Sequence, residues 1–116
     1  MIKGIGIDII ELSRIKEIMD RTPRFVKRIL TEQEQKTFKN YKKARQIEYL
    51  AGRFAAKEAF SKAMGTGIGK ELSFQDIEVD KDCYGKPIFI KPLTQGVHLS
   101  ITHSKEYAFA QVIIEK

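Results

Sequence analysis

Two carboxylates and one lysine are spaced so that they could do chemistry together. In the opening "KGIGIDII", Ile5, Ile7 and Ile9 take one face of an extended strand and Gly4, Gly6 and Asp8 take the other. Asp8 therefore lies on a face that two glycines clear of side chains. A carboxylate buried there without a partner is destabilising by several kcal/mol, so it needs a cation or a hydrogen-bond network. In "RFAAKEAFSKAMGTGIG", from Arg53 to Gly69, Phe54, Glu58 and Lys62 recur every fourth residue and form one helical column, with Arg53 and Lys57 in the next. By itself Glu58–Lys62 is equally an exposed ion pair worth about 0.3–0.5 kcal/mol. The alanines at 55, 56, 59 and 63 shift the balance, because they let another backbone pack close to those charges. One carboxylate from a strand and one from a helix suit a hard divalent ion such as magnesium, which takes one or two carboxylates and completes its shell with water and phosphate oxygens. Whether Asp8 and Glu58 meet depends on the fold.

Other segments carry groups that suit a phosphorylated ligand. "GTGIG" (Gly65–Gly69) follows the C-terminal end of a helix, so it is neither a P-loop nor a dinucleotide fingerprint, though its amides can still approach a ligand. Lys86 in "GKP" and His103 and Ser104 in "THS" sit at strand ends, where sites commonly gather. His103, at the end of an apolar strand face, equally suits a structural histidine. Cys83 is the single cysteine, with no histidine beside it, and reads as a bystander.

The elements that must position these groups follow from periodicity and punctuation. Ser13 is an expected N-cap for a short helix with Ile15, Ile18 and Met19 on one side. Thr22-Pro23 restarts a helix carrying Phe25, Val26, Ile29 and Leu30, and "TEQE" (Thr31–Glu34) matches a capping box opening a third. A long helix is expected from about Ala44 to Met64, with Ile47, Leu50, Ala51 and Phe54 as its buried stripe and glycines ending it. Beyond it, "FQDIEVD", "KPIFI", "VHLSITH" and "YAFAQVIIE" read as strands, with "YGKP" a turn and "SKE" a hairpin connection. One strand, then helices, then strands predict an α+β fold in which a long central helix packs on an antiparallel sheet, all within a single domain of residues 1–116.

Composition narrows the partners. With 116 residues the chain has little surface for a second module, so a deep site is expected to be shared with another subunit. No apolar run near the start is long enough for a signal peptide or membrane span, which predicts a soluble, cytoplasmic protein with no membrane partner. The net charge of +6 is concentrated in residues 1–58, where 14 Lys and Arg face 8 Asp and Glu, and all six arginines lie there. Such a surplus suits an acidic partner, or forms simply a solvated helical surface. A basic module binding nucleic acid or an acidic helical protein without catalysis is the alternative. No zinc signature or RNP-like aromatic pattern supports nucleic acid.

Taken together, "GIGIDIIE", "GRFAAKEAFSKAMGTGIG", "YGKP" and "LSITHS" resemble, in order and spacing, the short AcpS-type branch of the 4'-phosphopantetheinyl transferases across essentially the whole chain. That resemblance implies a magnesium-dependent enzyme that moves the 4'-phosphopantetheine group of coenzyme A to a serine of apo acyl carrier protein, in support of fatty acid biosynthesis. Adenosine 3',5'-bisphosphate is released. It implies Asp8 and Glu58 as magnesium ligands and Lys62 beside the pyrophosphate, the three being the catalytic residues. It implies coenzyme A contacts from Arg53, Lys62, Gly65, Thr66, Gly67, Gly85, Lys86, Pro87, His103 and Ser104, and carrier docking through Arg14, Arg21, Arg24, Arg28 and Arg45. It further implies a homotrimer with active sites between subunits. Tyr84 stands where the family has a polar residue, and Phe54 where relatives often have tryptophan. The base for the incoming serine is Glu58 or a water on the ion.

Overall fold

The computed structural model describes residues 1–116. Strand β1 (Ile2–Glu11) runs without a linker into helix α1 (Leu12–Arg21), whose first amide donates to the Glu106 carbonyl at 2.9 Å. This overturns the expected cap. Glu11 occupies the N-cap position without a side-chain hydrogen bond and Ser13 lies inside the first turn, because the junction is fixed by the adjoining strand connection. Helix α2 (Arg24–Ile29) opens on Pro23, which already has helical dihedrals, while Thr22 contributes its carbonyl to Phe25 N and not its hydroxyl. Helix α3 (Glu32–Lys39) carries both halves of the expected capping box. Thr31 N donates to Glu34 Oε1 at 2.9 Å and Glu34 N to Thr31 Oγ1 at 3.4 Å.

Helix α4 (Lys43–Met64) is rich in strong helix formers and ends at Gly65 in the left-handed conformation, φ 84°, as its glycine predicts. Residues Phe74–Asp76 form a 3-10 turn, so "FQDIEVD" is not one strand; only β2 (Glu78–Lys81) is extended, pairing with β3 (Pro87–Lys91). The turn has its own cap, with Ser73 N donating to Asp76. β4 (Val97–His103) and β5 (Tyr107–Glu115) form the expected hairpin, and β1 pairs antiparallel with the far side of β5, giving the order β1-β5-β4. A second, two-stranded sheet is β2-β3. The α+β arrangement of a long helix on an antiparallel sheet is thus observed.

The two glycines of β1 set the depth of this packing. A Cβ built at Gly6 would fall 1.8 Å from the Ala59 carbonyl oxygen, and one at Gly4 1.9 Å from that of Ala63. The face they clear is filled by the backbone of α4, which delivers the next inward residue, Asp8, beside the helix. The isoleucines face the other way, with Ile5, Ile7 and Ile9 exposed by 58%, 60% and 51%. The core forms two clusters along α4, one under the sheet around Ala59, Phe60 and Val112, the other under α1 to α3 around Ile15, Ile29 and Leu50. No helix is long and apolar enough to cross a membrane.

Candidate functional site

From Tyr49 to Ser61, every residue of α4 is buried except Phe54 and Glu58. The column predicted from spacing is therefore the open line of an otherwise enclosed helix, and the expected stripe of Ile47, Leu50, Ala51 and Phe54 is only part of a nearly all-round core. Along that line a cleft of about 420 Å³ is lined by Asp8, Arg14, Phe25, Phe54 and Glu58 together with four isoleucines. The strand carboxylate and the helix carboxylate do meet. Lys62, one turn further on, donates to Asp8 Oδ1 at 3.1 Å and to the Ile7 carbonyl at 2.9 Å, while its own side chain stays 49% exposed.

The electrostatics of this pair are unbalanced. Burial raises the Glu58 carboxyl above its ordinary value of 4.5, the negative charge of Asp8 raises it further, and Lys62 opposes both. Two like charges at one cleft favour a cation between them. Asp8 and Glu58 supply hard oxygen donors, and no cluster of three or more metal-ligating side chains accompanies them. This donor set fits a magnesium-type ion that takes two carboxylates and fills its remaining positions from water and phosphate.

The expected phosphate-binding groups fall into separate neighbourhoods. Gly65 and Gly67 hold positive φ, and the amides of Thr66 and Gly67 fold back onto the Ser61 carbonyl just past Lys62. The turn holding Gly85, Lys86 and Pro87 is organised by Asp82, whose Oδ1 accepts from Tyr84 N and Lys86 N at 2.9 Å each; the Tyr84 side chain projects with 91% exposure. His103 lies on the opposite edge of the sheet from Asp8, with Nδ1 3.8 Å from Glu48 Oε2. Arg45 joins it there, 3.5 Å from the same Glu48 carboxylate and stacked over Tyr41. Ser104 Oγ accepts the amides of Glu106 and Tyr107, so it shapes the hairpin turn.

Arg53 is set apart. It is 6% exposed, its guanidinium lies 4.3 Å from the Tyr49 ring centre, and its Nε has no partner. It lines a small pocket of about 90 Å³ with Glu34 and Glu78, facing roughly 140° around α4 from Glu58. Of the five arginines expected to meet a carrier, Arg21, Arg24 and Arg28 line one groove of about 770 Å³ between α1 and α2 with Lys27, and Arg14 lies in the adjoining cleft. Arg45 does not belong to that group.

The residue that spacing undervalued is Lys57. It is fully buried, and its ammonium donates to Glu34 Oε1 at 2.6 Å, Ile29 O at 2.7 Å and Phe74 O at 3.1 Å. Burial pulls its pKa down, and the charge and hydrogen bond of Glu34 resist that. No local pattern reveals this pair, since its members lie 23 residues apart.

A family model described as the 4'-phosphopantetheinyl transferase superfamily matches residues 4–112. The chain belongs to the 4'-phosphopantetheinyl transferase superfamily. A holo-[acyl-carrier-protein] synthase of Bacillus pumilus is 58% identical over all of this chain and 98% of its own length, and one of Bacillus thuringiensis is 61% identical over 99% and 97%. Among solved structures, the Bacillus anthracis holo-(acyl-carrier-protein) synthase in complex with CoA (3',5'-ADP) superposes with a TM-score of 0.92 at 60% identity, covering 98% of this chain and 96% of that one. The Helicobacter pylori enzyme in complex with coenzyme A gives 0.82 at 35% identity over 96% and 99%. This member of the superfamily thus has relatives with bound coenzyme A.

Proposed function

We propose that this chain is a holo-[acyl-carrier-protein] synthase, moving 4'-phosphopantetheine from coenzyme A to a serine of apo acyl carrier protein. The observation that carries the reading is that Asp8 and Glu58 line one cleft with Arg14, with Lys62 paired to Asp8, in a chain similar over its full length to synthases of that name. Residues 1–116 act as one domain, in the cytoplasm, supplying carriers for fatty acid synthesis.

In the reaction, Asp8 and Glu58 would hold magnesium, which would supply positive charge to offset that of the pyrophosphate. Lys62 turns from Asp8 to the phosphate oxygens and stabilises the charge that grows as the phosphoanhydride bond breaks. Its high exposure leaves it free to make that turn. The serine hydroxyl of the carrier attacks the β-phosphorus in line, and its proton passes to a base. Glu58 at the cleft, or a water beside it, takes that proton. Phe54 and Phe25, 6.0 Å apart, wall the cleft and exclude water. Arg14, Arg21, Arg24 and Arg28 receive an acidic helix of the carrier beside the cleft. The Gly65–Gly67 loop and the Gly85–Pro87 turn approach coenzyme A through backbone, with Lys86 as a cation.

His103, Ser104 and Arg45 complete the coenzyme A site from a neighbouring copy. Glu48, beside them, is ten residues before Glu58 on α4, a rise of about 15 Å. One chain therefore spreads the two groups widely, and its exposed apolar sheet face, with Ile5, Ile7 and Ile9 beside Phe109 and Ile113, suits burial in a homotrimer. Mass spectrometry of an apo carrier after incubation with this protein, coenzyme A and magnesium tests the reaction. A serine-linked gain of roughly 340 Da, the mass of the transferred group, is expected; an unmodified carrier overturns the reading.

A further inference from the structure

Helix α2 is six residues long, far too short to hold itself, yet it carries Arg24, Phe25 and Arg28. Side chains from three other segments hold its C-terminal end. Lys57 donates to the Ile29 carbonyl at 2.7 Å, Gln75 Nε2 to the carbonyls of Lys27 at 2.7 Å and Leu30 at 2.8 Å, and Gln35 Nε2 to Leu30 O at 2.9 Å. Cations and amide donors at this end of a helix complement its dipole and satisfy carbonyls that lack an internal partner. Lys57 is the link to α4, since it is one residue before Glu58 on that helix. Its other donors reach Glu34, which in turn accepts Val79 N at 2.8 Å and Thr31 N at 2.9 Å.

A fully buried lysine–glutamate pair is weak as a source of stability, because an apolar pair of like volume often does as well. What an apolar pair cannot do is fix direction. All three protons of Lys57 are committed, to α2, to α3 and to the 3-10 turn, so translation of α2 along α4 breaks hydrogen bonds that burial leaves no water to replace.

Building on the synthase reading, we propose that the Lys57–Glu34 pair, with Gln75, is a positioning device that sets the carrier-docking helix α2 at a fixed distance from Glu58, so that the bound carrier presents its serine at the cleft. Lys57 is a positioning residue and does not touch substrate. The consequence is selective. Of α2 only Phe25 borders the cleft, while the coenzyme A contacts of this reading come from other segments, so loosening the helix weighs first on the carrier.

The test compares the unsubstituted chain, the charge-balanced double variant Lys57→Met/Glu34→Gln, and Gln75→Ala. Gln75 is exposed, and its loss strands no buried charge, so this variant decides the matter if the double variant does not fold. KM for apo carrier and for coenzyme A is read from release of adenosine 3',5'-bisphosphate, and amide hydrogen exchange is followed over residues 24–30. We expect carrier KM to rise about tenfold in each variant, coenzyme A KM and kcat to change less than about twofold, and exchange in α2 to accelerate ahead of α4. Parallel changes in both KM values, unchanged carrier KM, or unchanged exchange in α2 overturn the proposal. Absence of product from the unsubstituted chain overturns the functional reading instead, and the exchange data still decide whether these side chains anchor α2.

Discussion

At Glu58, solvation and charge pull against function in a measurable way. Its carboxyl is raised by burial first and by Asp8 second, so the folded chain binds this proton more readily than the unfolded chain does. The linked stability is present below the ordinary value of 4.5 and is lost as pH rises through the higher folded value. Glu58→Gln should therefore raise the Tm of the metal-free protein at pH 8 and leave it unchanged at pH 4. The same variant should lose the Tm increase that magnesium with coenzyme A gives the parent at pH 8, and lower turnover roughly 100-fold. Unaltered turnover at limiting magnesium would remove Glu58 from the ligand set. Gly6 is a second decisive residue. With the Ala59 oxygen 1.8 Å from where a Cβ would sit, Gly6→Ala should destabilise the fold by about 3 kcal/mol, read by urea unfolding, and displace Asp8 from the cleft.

Among the elements, α3 gives the cleanest test. Thr31→Ala removes the cap of the helix and the 2.6 Å hydrogen bond to Glu78, so a loss of about 1–2 kcal/mol in chemical denaturation is expected with the cleft untouched. This cap was legible in the sequence because its partners are three residues apart. So were the extent of α4, whose observed start at Lys43 is one residue from the expected Ala44, the left-handed Gly65, the hairpin at 104–106 and the column of Phe54, Glu58 and Lys62. Contacts between distant segments were not legible. Glu34 serves α3 locally as a cap and Lys57 remotely as a counter-ion, and only the first role leaves a trace in spacing. Ser13 failed as a cap because the backbone bond from Leu12 N to the Glu106 carbonyl fixes the strand-to-helix junction. The meeting of Asp8 and Glu58 was suggested by residue type and required the glycine approach of β1 to α4 to become geometry.

At the scale of the molecule, charge and apolar surface are divided between two faces. The groove of Arg21, Arg24, Lys27 and Arg28 lies beside the cleft, whereas the sheet face of isoleucines lies across the molecule's thickness from α4. Raising salt from about 0.05 to 0.5 M should weaken carrier KM and spare coenzyme A saturation far less, because exposed charges on the groove are screened over a Debye length near 10 Å. Ile7→Lys places a charge in the centre of the apolar face, and light scattering should report a monomer with activity reduced at least tenfold if neighbouring copies complete each site. A variant of unchanged mass and activity would exclude that face as the interface.

The sheet order β1-β5-β4 also governs when the site comes into being. Asp8 is paired with Ala110, about a hundred residues later, and β5 is the central strand that both neighbours need. β1 therefore gains its sheet partner only when β5 is in place, and the helical core around Leu50 and Ile15 itself takes in Ala108 of that strand. The wall of the cleft that carries Asp8 is thus tied to the C-terminal strand, and removing β5 should loosen Asp8 together with its sheet.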